Sequence, residues 1–70
     1  RPVATGGGAL VGEIGEARAA IGAGGGRVFV NGELWSARAA NGTEIPAGAR
    51  VRVVRVDDEG LTLTVEPGEE

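Results

Sequence analysis

Three residue types on which many enzymes depend are missing from this chain of 70 residues, which has no cysteine, no histidine and no lysine. Without cysteine there is neither a disulfide framework nor a thiolate metal site. Without histidine the chain lacks the commonest general base and the commonest metal ligand. Without lysine there is no Schiff base and no phosphate-loop lysine. The composition therefore predicts a protein that is not an enzyme and has no metal and no cofactor.

Positive charge is also scarce, since seven arginines face ten acidic residues and the net charge is −3. A nucleic-acid-binding protein gains most of its affinity from basic side chains that neutralise phosphates. The charge balance therefore predicts no nucleic-acid partner. No apolar run approaches the roughly 20 residues that cross a bilayer. Because the chain begins at Arg1, we expect it to be a piece of a longer protein.

Aromatic residues are the scarcest of the large side chains, and the one phenylalanine and one tryptophan both lie within the stretch VFVNGELWSA. Its centre, Asn31-Gly32, is the strongest short signal for a β-hairpin with a type I′ turn. A two-residue turn places Val28 opposite Trp35 and Phe29 opposite Leu34. Alternation along the strands then directs Val28 and Trp35 into the core, and Phe29 and Leu34 to the outer face.

The rest of the chain alternates short β-like runs with turn residues. The fourth run, RVRVVRV, has an extra residue near Val53-Val54, which indicates a β-bulge that keeps the arginines outside. We expect strands at 10–21, 26–31, 33–40, 50–56 and 60–66. Residues 1–9 are predicted to be a flexible linker and residues 68–70 a tail. Five short, bent strands without a substantial helix predict an all-β, five-stranded antiparallel OB-type β-barrel over residues 10–67, with an SH3-like barrel as the alternative.

Alternation also gives finer expectations for the first and last runs. The inward set comprises Ala17, Ala19, Ile21, Leu61, Leu63 and Val65. The outward set comprises Glu16, Arg18, Thr62 and Thr64. If the first and fourth strands pair, Glu13 and Glu16 are placed to neutralise Arg50 and Arg52.

The pattern Gly-x-Val-x-Val-x-Gly-Glu-x-Trp-x-Ala, from Gly26 to Ala37, resembles the C-terminal soluble domain of the NfeD-like family. The similarity extends from Thr5 to Pro67, through the segments IPAGARVRVV and GLTLTVEP. Two departures are Ser36, where many relatives have aspartate, and the longer turn Asp57-Asp58-Glu59-Gly60. Neither departure alters the expected fold.

The resemblance implies an OB-type barrel attached to transmembrane helices outside this chain, in a membrane-anchored parent whose soluble domain is cytoplasmic. It also implies stomatin-, prohibitin- or flotillin-like membrane proteins as partners, and it allows weak self-association. Long members of the family carry a separate serine protease domain, of which nothing is present here. The family supplies no catalytic residue for this region. The function expected is that of a non-catalytic protein-interaction adaptor; the alternative is an OB-fold module that binds single-stranded nucleic acid or another oligomeric ligand.

The predicted interaction site is the outer face of the hairpin, with Phe29 and Leu34 at its centre and Arg27 and Arg38 at its rim. An apolar centre with an arginine rim is typical of protein-binding surfaces. The alternative is that the glycine-rich segment 22–26 covers the pair.

Three other features have a structural interpretation that we favour over a functional one. Trp35 is expected to fill the core rather than to stack on a ligand. Gly22-x-Gly24-Gly25-Gly26 is expected to be a turn rather than a phosphate loop, because no helix follows it. Asp57-Asp58-Glu59 is expected to be a charged hairpin tip rather than a metal site.

Overall fold

A computed structural model of the chain describes residues 10–57, 59 and 61–68. It contains five β-strands, and no helix in the described part has the length and apolar character that a membrane crossing needs. The strands are β1 (Ile14–Ala17), β2 (Gly26–Val30), β3 (Glu33–Ala39), β4 (Arg50–Asp57) and β5 (Thr62–Pro67). The predicted linker at 1–9 lies outside the described residues, as does most of the predicted tail.

The five strands form a closed barrel in the order β1-β2-β3-β5-β4, and β1 pairs with β4 to complete the circle. This order and closure confirm the OB-type barrel. The β3–β5 pair is parallel, whereas the other four pairs are antiparallel. A closed ring with an odd number of strands cannot alternate direction throughout, so one neighbouring pair must be parallel, and the predicted antiparallel pairing holds for the other four.

The β2–β3 hairpin has the register that its turn residues predict. Asn31 and Gly32 have φ angles of 54° and 84°, as a type I′ turn requires. Val28 faces Trp35, and Phe29 faces Leu34. The hairpin is thus fixed by local turn chemistry, and it sets which side chains enter the barrel.

The predicted β-bulge lies in β4, where the register against β5 shifts between Val53 and Arg55. Val51 and Val53 are buried on one side of the shift, and Val54 is exposed at it. The bulge restores the alternation, so that the arginines of β4 stay at the surface.

The core is a cluster of small and branched apolar side chains inside the barrel. Its members are Leu10, Ala17, Ile21, Val28, Val30, Ala37, Ile45, Val51, Val53, Leu63 and Val65. Trp35 packs against this cluster but is only half-buried, and its indole N–H is buried without a hydrogen-bond partner. The β3–β5 pairing begins at Ser36, one residue beyond Trp35, so the ring lies at an end of the barrel. The inward orientation was predicted correctly, whereas complete burial was not.

The first predicted strand was too long, because β1 spans only Ile14–Ala17. Ala19 is exposed, which contradicts its predicted place in the core. Ile21 is buried, but it reaches the core through an isolated bridge with Ile45, a residue that the strand pattern missed. Gly15 explains how β1 approaches β2 so closely, since a Cβ there would lie 2.5 Å from the carbonyl oxygen of Phe29.

The last strand also differs from its pattern at two positions. Leu61 is 70% exposed in the turn before β5, so its predicted inward orientation was wrong. Thr64 was predicted on the outer face, yet it is completely buried. The strand register places Thr64 between Arg38 of β3 and Arg55 of β4. The Thr64 hydroxyl donates a hydrogen bond of 2.5 Å to Oδ2 of Asp57.

The predicted pairing of β1 with β4 is confirmed and sets Glu16 opposite Arg50 in register, but Glu16 and Arg52 form ion pairs with other residues. Glu16 contacts Arg18 at 3.5 Å, and Arg52 forms an ion pair with Glu66 of β5. Each of these pairs is at the surface, where an ion pair contributes less than about 1 kcal/mol.

Asp57→Asn is expected to lower the melting temperature at neutral pH and to lose that effect in acid. The hydrogen bond from Thr64, aided by Arg55, holds the pKa of Asp57 below its ordinary value of 3.8. A carboxyl whose pKa is lower in the folded state stabilises the protein above pH 3.8, and this stabilisation is lost as the pH falls through the folded-state pKa. Melting curves of both proteins from pH 2 to 7 measure this.

Thr64→Val supplies the control for that experiment, because it removes the hydroxyl donor and keeps the volume. In the Thr64→Val background, Asp57→Asn is expected to have a smaller effect at neutral pH. The original chain and Asp57→Asn are compared by their difference in melting temperature. If this difference is the same at pH 2 and pH 7, the ionised carboxylate does not have the role given to it here.

Candidate interaction surface

The outer face of the β2–β3 hairpin exposes two large apolar side chains next to each other. Phe29 and Leu34 are direct cross-strand partners, and they are 36% and 52% exposed. Side chains opposite each other on one face of an antiparallel pair have Cβ atoms about 5 Å apart. The pair is therefore continuous apolar surface rather than two separate exposed residues.

A third apolar side chain extends this surface onto β1. Ile14 is 47% exposed and, with Phe29, lines a shallow depression on the outside of the barrel. The β1–β2 register places Glu16 opposite Phe29, so Ile14 lies two residues further along the same face of β1. We call Ile14, Phe29 and Leu34 the outer apolar patch.

Arg18 covers part of the patch, as its guanidinium carbon lies 4.4 Å from the centre of the Phe29 ring. The same side chain contacts Glu16, and about half of its surface stays accessible. A guanidinium stacked on an exposed ring contributes about 0.5–1 kcal/mol. Phe29 is thus oriented by the arginine that directly follows β1, and the stacking leaves Leu34 and Ile14 open to a partner.

The two predicted rim arginines lie on the outer face at different distances from the patch. Arg27 is two residues before Phe29 on β2, and it pairs in register with Ser36. Arg38 is four residues after Leu34 on β3, about 13 Å along the strand. Arg27 therefore borders the patch directly, and Arg38 lies further along beside β5.

The sequence and structure of this barrel match a known family of domains. A family model described as the NfeD-like C-terminal, partner-binding domain matches residues 7–67. The chain belongs to the NfeD-like family. No curated protein matches it significantly.

The solved structures that resemble this NfeD-like domain include two from different organisms. The C-terminal domain of stomatin operon partner protein 1510-C from Pyrococcus horikoshii superposes with a TM-score of 0.80 at 33% identity, covering 99% of this chain and 100% of that one. The other is the soluble domain of a membrane protein implicated in regulation of membrane protease activity from Corynebacterium glutamicum. It superposes with a TM-score of 0.75 at 34% identity, covering 81% of this chain and 89% of that one.

The described part of the NfeD-like domain contains no group of three or more residues able to hold a metal ion. The pKa of Asp57 is lowered by the Thr64 hydrogen bond and Arg55, whereas a general acid that works near neutral pH needs a raised pKa. The predicted charged hairpin tip begins at Asp57, whose carboxylate accepts hydrogen bonds from Thr64 and Arg55. Asp58 lies outside the described residues.

Sequence reasoning missed two members of this surface, Ile14 and the stacked Arg18. The alternation that places Glu16 on the outer face also places Ile14 and Arg18 there, so the signal was present. The glycine-rich segment does not cover the patch. It lines a separate groove beside Arg27, Ser36 and Arg38.

Proposed function

We propose that this domain is a non-catalytic adaptor that binds a stomatin- or flotillin-like membrane protein through the outer apolar patch. The observation that carries the proposal is the exposure of Phe29, Leu34 and Ile14 as one surface on three adjacent strands. Large apolar side chains in contact with each other, bordered by arginine, have the composition of interface centres. The core does not need these side chains.

The relatives support the choice of partner. The family model describes a partner-binding domain, and the Pyrococcus horikoshii protein is named as a stomatin operon partner. The Corynebacterium glutamicum structure is the soluble domain of a membrane protein. We extend both properties to this chain, with a parent anchored by helices outside these 70 residues and the domain on the cytoplasmic side.

The patch is small, so a single contact is expected to be weak. Partners that form arrays in a membrane present many copies at high local concentration, and linked weak contacts then give strong overall binding. The domain therefore acts as one of several identical contacts between two membrane-bound assemblies.

We expect this domain to bind the stomatin-like membrane protein encoded beside its parent, called its neighbour below, and not to bind single-stranded nucleic acid. Single-strand binding needs a basic groove with several stacking rings. Here the net charge is −3, and the one phenylalanine ring is stacked by Arg18. Two titrations of the fluorescently labelled chain at low salt, followed by anisotropy, separate the two functions. One titration uses the purified neighbour in nanodiscs, and the other uses an oligothymidylate.

Saturable binding to the neighbour alone supports the adaptor function. Micromolar binding to the oligonucleotide that weakens steeply with salt, with no response to the neighbour, would replace it with the nucleic-acid function.

A further inference from the structure

A groove lies on the outer face of the barrel next to the outer apolar patch. Its floor is formed by β2 and β3 and one wall by the loop Gly22–Gly26. Arg27 and Ser36 lie on this floor as a cross-strand pair. They are two residues before Phe29 and two residues after Leu34, so the groove and the patch share one face.

Among the described residues, those that line the groove include two arginines, Arg27 and Arg38, and no carboxylate. Their polar companions are the hydroxyls of Ser36 and Thr62. Two acidic groups, Glu44 and Asp57, lie near the groove and outside its described lining. Glu44 is near Gly22, where an added Cβ would be 4.0 Å from a carboxylate oxygen. Asp57 bonds to Thr64 and Arg55, and Arg38 also helps to lower its pKa, so Arg38 shares its charge with this carboxylate. The described lining nevertheless carries the positive charge of Arg27 in addition to that of Arg38.

The glycine loop keeps the groove open. Gly22 and Gly25 bond to each other's carbonyl groups, and Gly25 has a φ of 95°, so the loop is a tight turn. A Cβ at Gly25 would lie 3.1 Å from the carbonyl oxygen of Ala37, whereas a Cβ at Gly24 would meet no atom within 4 Å. The wall is therefore formed by backbone, and Gly24 is a position where a side chain can be added without steric conflict.

We propose that this groove binds an extended, carboxylate-bearing segment of the partner polypeptide, whose apolar side chains continue onto the outer apolar patch. The identity of the partner rests on the proposed function, whereas the chemistry of the segment rests on the groove itself. An extended chain places residues i and i+2 about 6.7 Å apart on one side, which matches the spacing from Arg27 to Phe29 and from Leu34 to Ser36. The segment therefore carries carboxylates and large apolar residues at alternate positions.

A protein segment fits these observations better than a nucleic acid. Both carry negative charge, but bases need exposed rings for stacking. The one exposed ring on this face is occupied by Arg18, and beside it lie the aliphatic side chains of Leu34 and Ile14. Aliphatic surface next to arginine is suited to a polypeptide with alternating carboxylate and apolar side chains.

The test is a nuclear magnetic resonance titration of the ¹⁵N-labelled chain with the peptide Thr-Asp-Thr-Asp-Thr-Leu-Thr-Leu-Thr. The amides of Gly22–Gly26, Arg27 and Ser36 are expected to shift, and the affinity is expected to fall with added salt. The same peptide with asparagine in place of aspartate is expected to bind severalfold more weakly. Gly24→Glu is expected to lower the affinity for the aspartate peptide about two- to fivefold, because it adds one unfavourable exposed charge pair. Gly24→Ala is the matched control and is expected to bind like the original chain.

Equal binding of the aspartate and asparagine peptides would overturn the proposal, and so would tighter binding of an oligothymidylate in the groove. The full partner separates this inference from the proposed function. The comparison is with a patch variant that combines Phe29→Ser and Leu34→Ser. If Gly24→Glu binds the stomatin-like neighbour normally and the patch variant does not, the groove proposal is overturned and the adaptor function stands. If the original chain does not bind the neighbour, the adaptor function is overturned, and aspartate-dependent peptide binding still supports the groove.

Discussion

Trp35→Ala is expected to remove most of the stability of this domain. The ring packs against the core at the end of the barrel, opposite the buried Val28. Truncating a buried tryptophan costs about 3–5 kcal/mol, and the half-exposed ring puts Trp35 near the lower end of this range. A domain of this size has a stability on the order of 5 kcal/mol. The melting temperature is therefore expected to fall by about 12–25 °C.

Trp35→Phe is the matched control, since it keeps an aromatic ring and removes the indole N–H. That N–H is buried without a hydrogen-bond partner, so its loss removes an unsatisfied donor and offsets part of the lost contact. The Trp35→Phe domain is expected to melt within a few degrees of the original. Circular dichroism melting of the three proteins measures both effects, and a Trp35→Ala domain as stable as the original would contradict the inward orientation of the ring.

Phe29→Ser combined with Leu34→Ser is expected to abolish co-purification of the full-length parent with its stomatin-like neighbour. Buried aromatic and aliphatic anchors at the centre of an interface each contribute about 2 kcal/mol, so losing two weakens a single contact roughly a thousandfold if the effects add. Neither side chain belongs to the core cluster. The stability of the domain is therefore expected to change by about 1 kcal/mol, mainly through the lost stacking of Arg18 on Phe29.

The chain offers a control with the same chemistry at another place on the surface. Val54 at the β4 bulge and Leu61 before β5 are also exposed apolar residues, at 38% and 70%, and neither lines the depression beside the patch. Val54→Ser with Leu61→Ser removes a comparable amount of exposed apolar surface. This variant is expected to co-purify normally. If it loses the partner and the Phe29 and Leu34 variant keeps it, the interaction surface lies on the β4–β5 side.

The parts of the fold that local chemistry determines were predictable from the sequence. Asn31-Gly32 requires a type I′ turn, and that turn fixes the cross-strand partners of the whole hairpin. The phase error in RVRVVRV identifies the bulge near Val53, because one extra residue is the simplest way to keep the arginines outside. The orientations of Phe29 and Trp35 follow from the hairpin turn, and those of the β4 arginines follow from the bulge.

The parts that depend on distant segments were not predictable in this way. Ile21 is buried by Ile45, which is 24 residues away in a segment with no strand pattern. Thr64 is buried because β3 and β4 both flank it, and the burial of an outer-face residue depends on its neighbours' side chains. The place of Ile14 in the patch likewise follows from the β1–β2 register, which no turn signal fixes.

The most direct test of the central claim is the footprint of the partner on this domain. Cross-saturation transfer, measured on the ²H,¹⁵N-labelled chain bound to its full-length stomatin-like neighbour in nanodiscs, reports which amides lie at the interface. The adaptor function through the outer apolar patch predicts saturation at Ile14, Phe29 and Leu34. A footprint centred on Val54 and Leu61, with the patch amides unaffected, would contradict it.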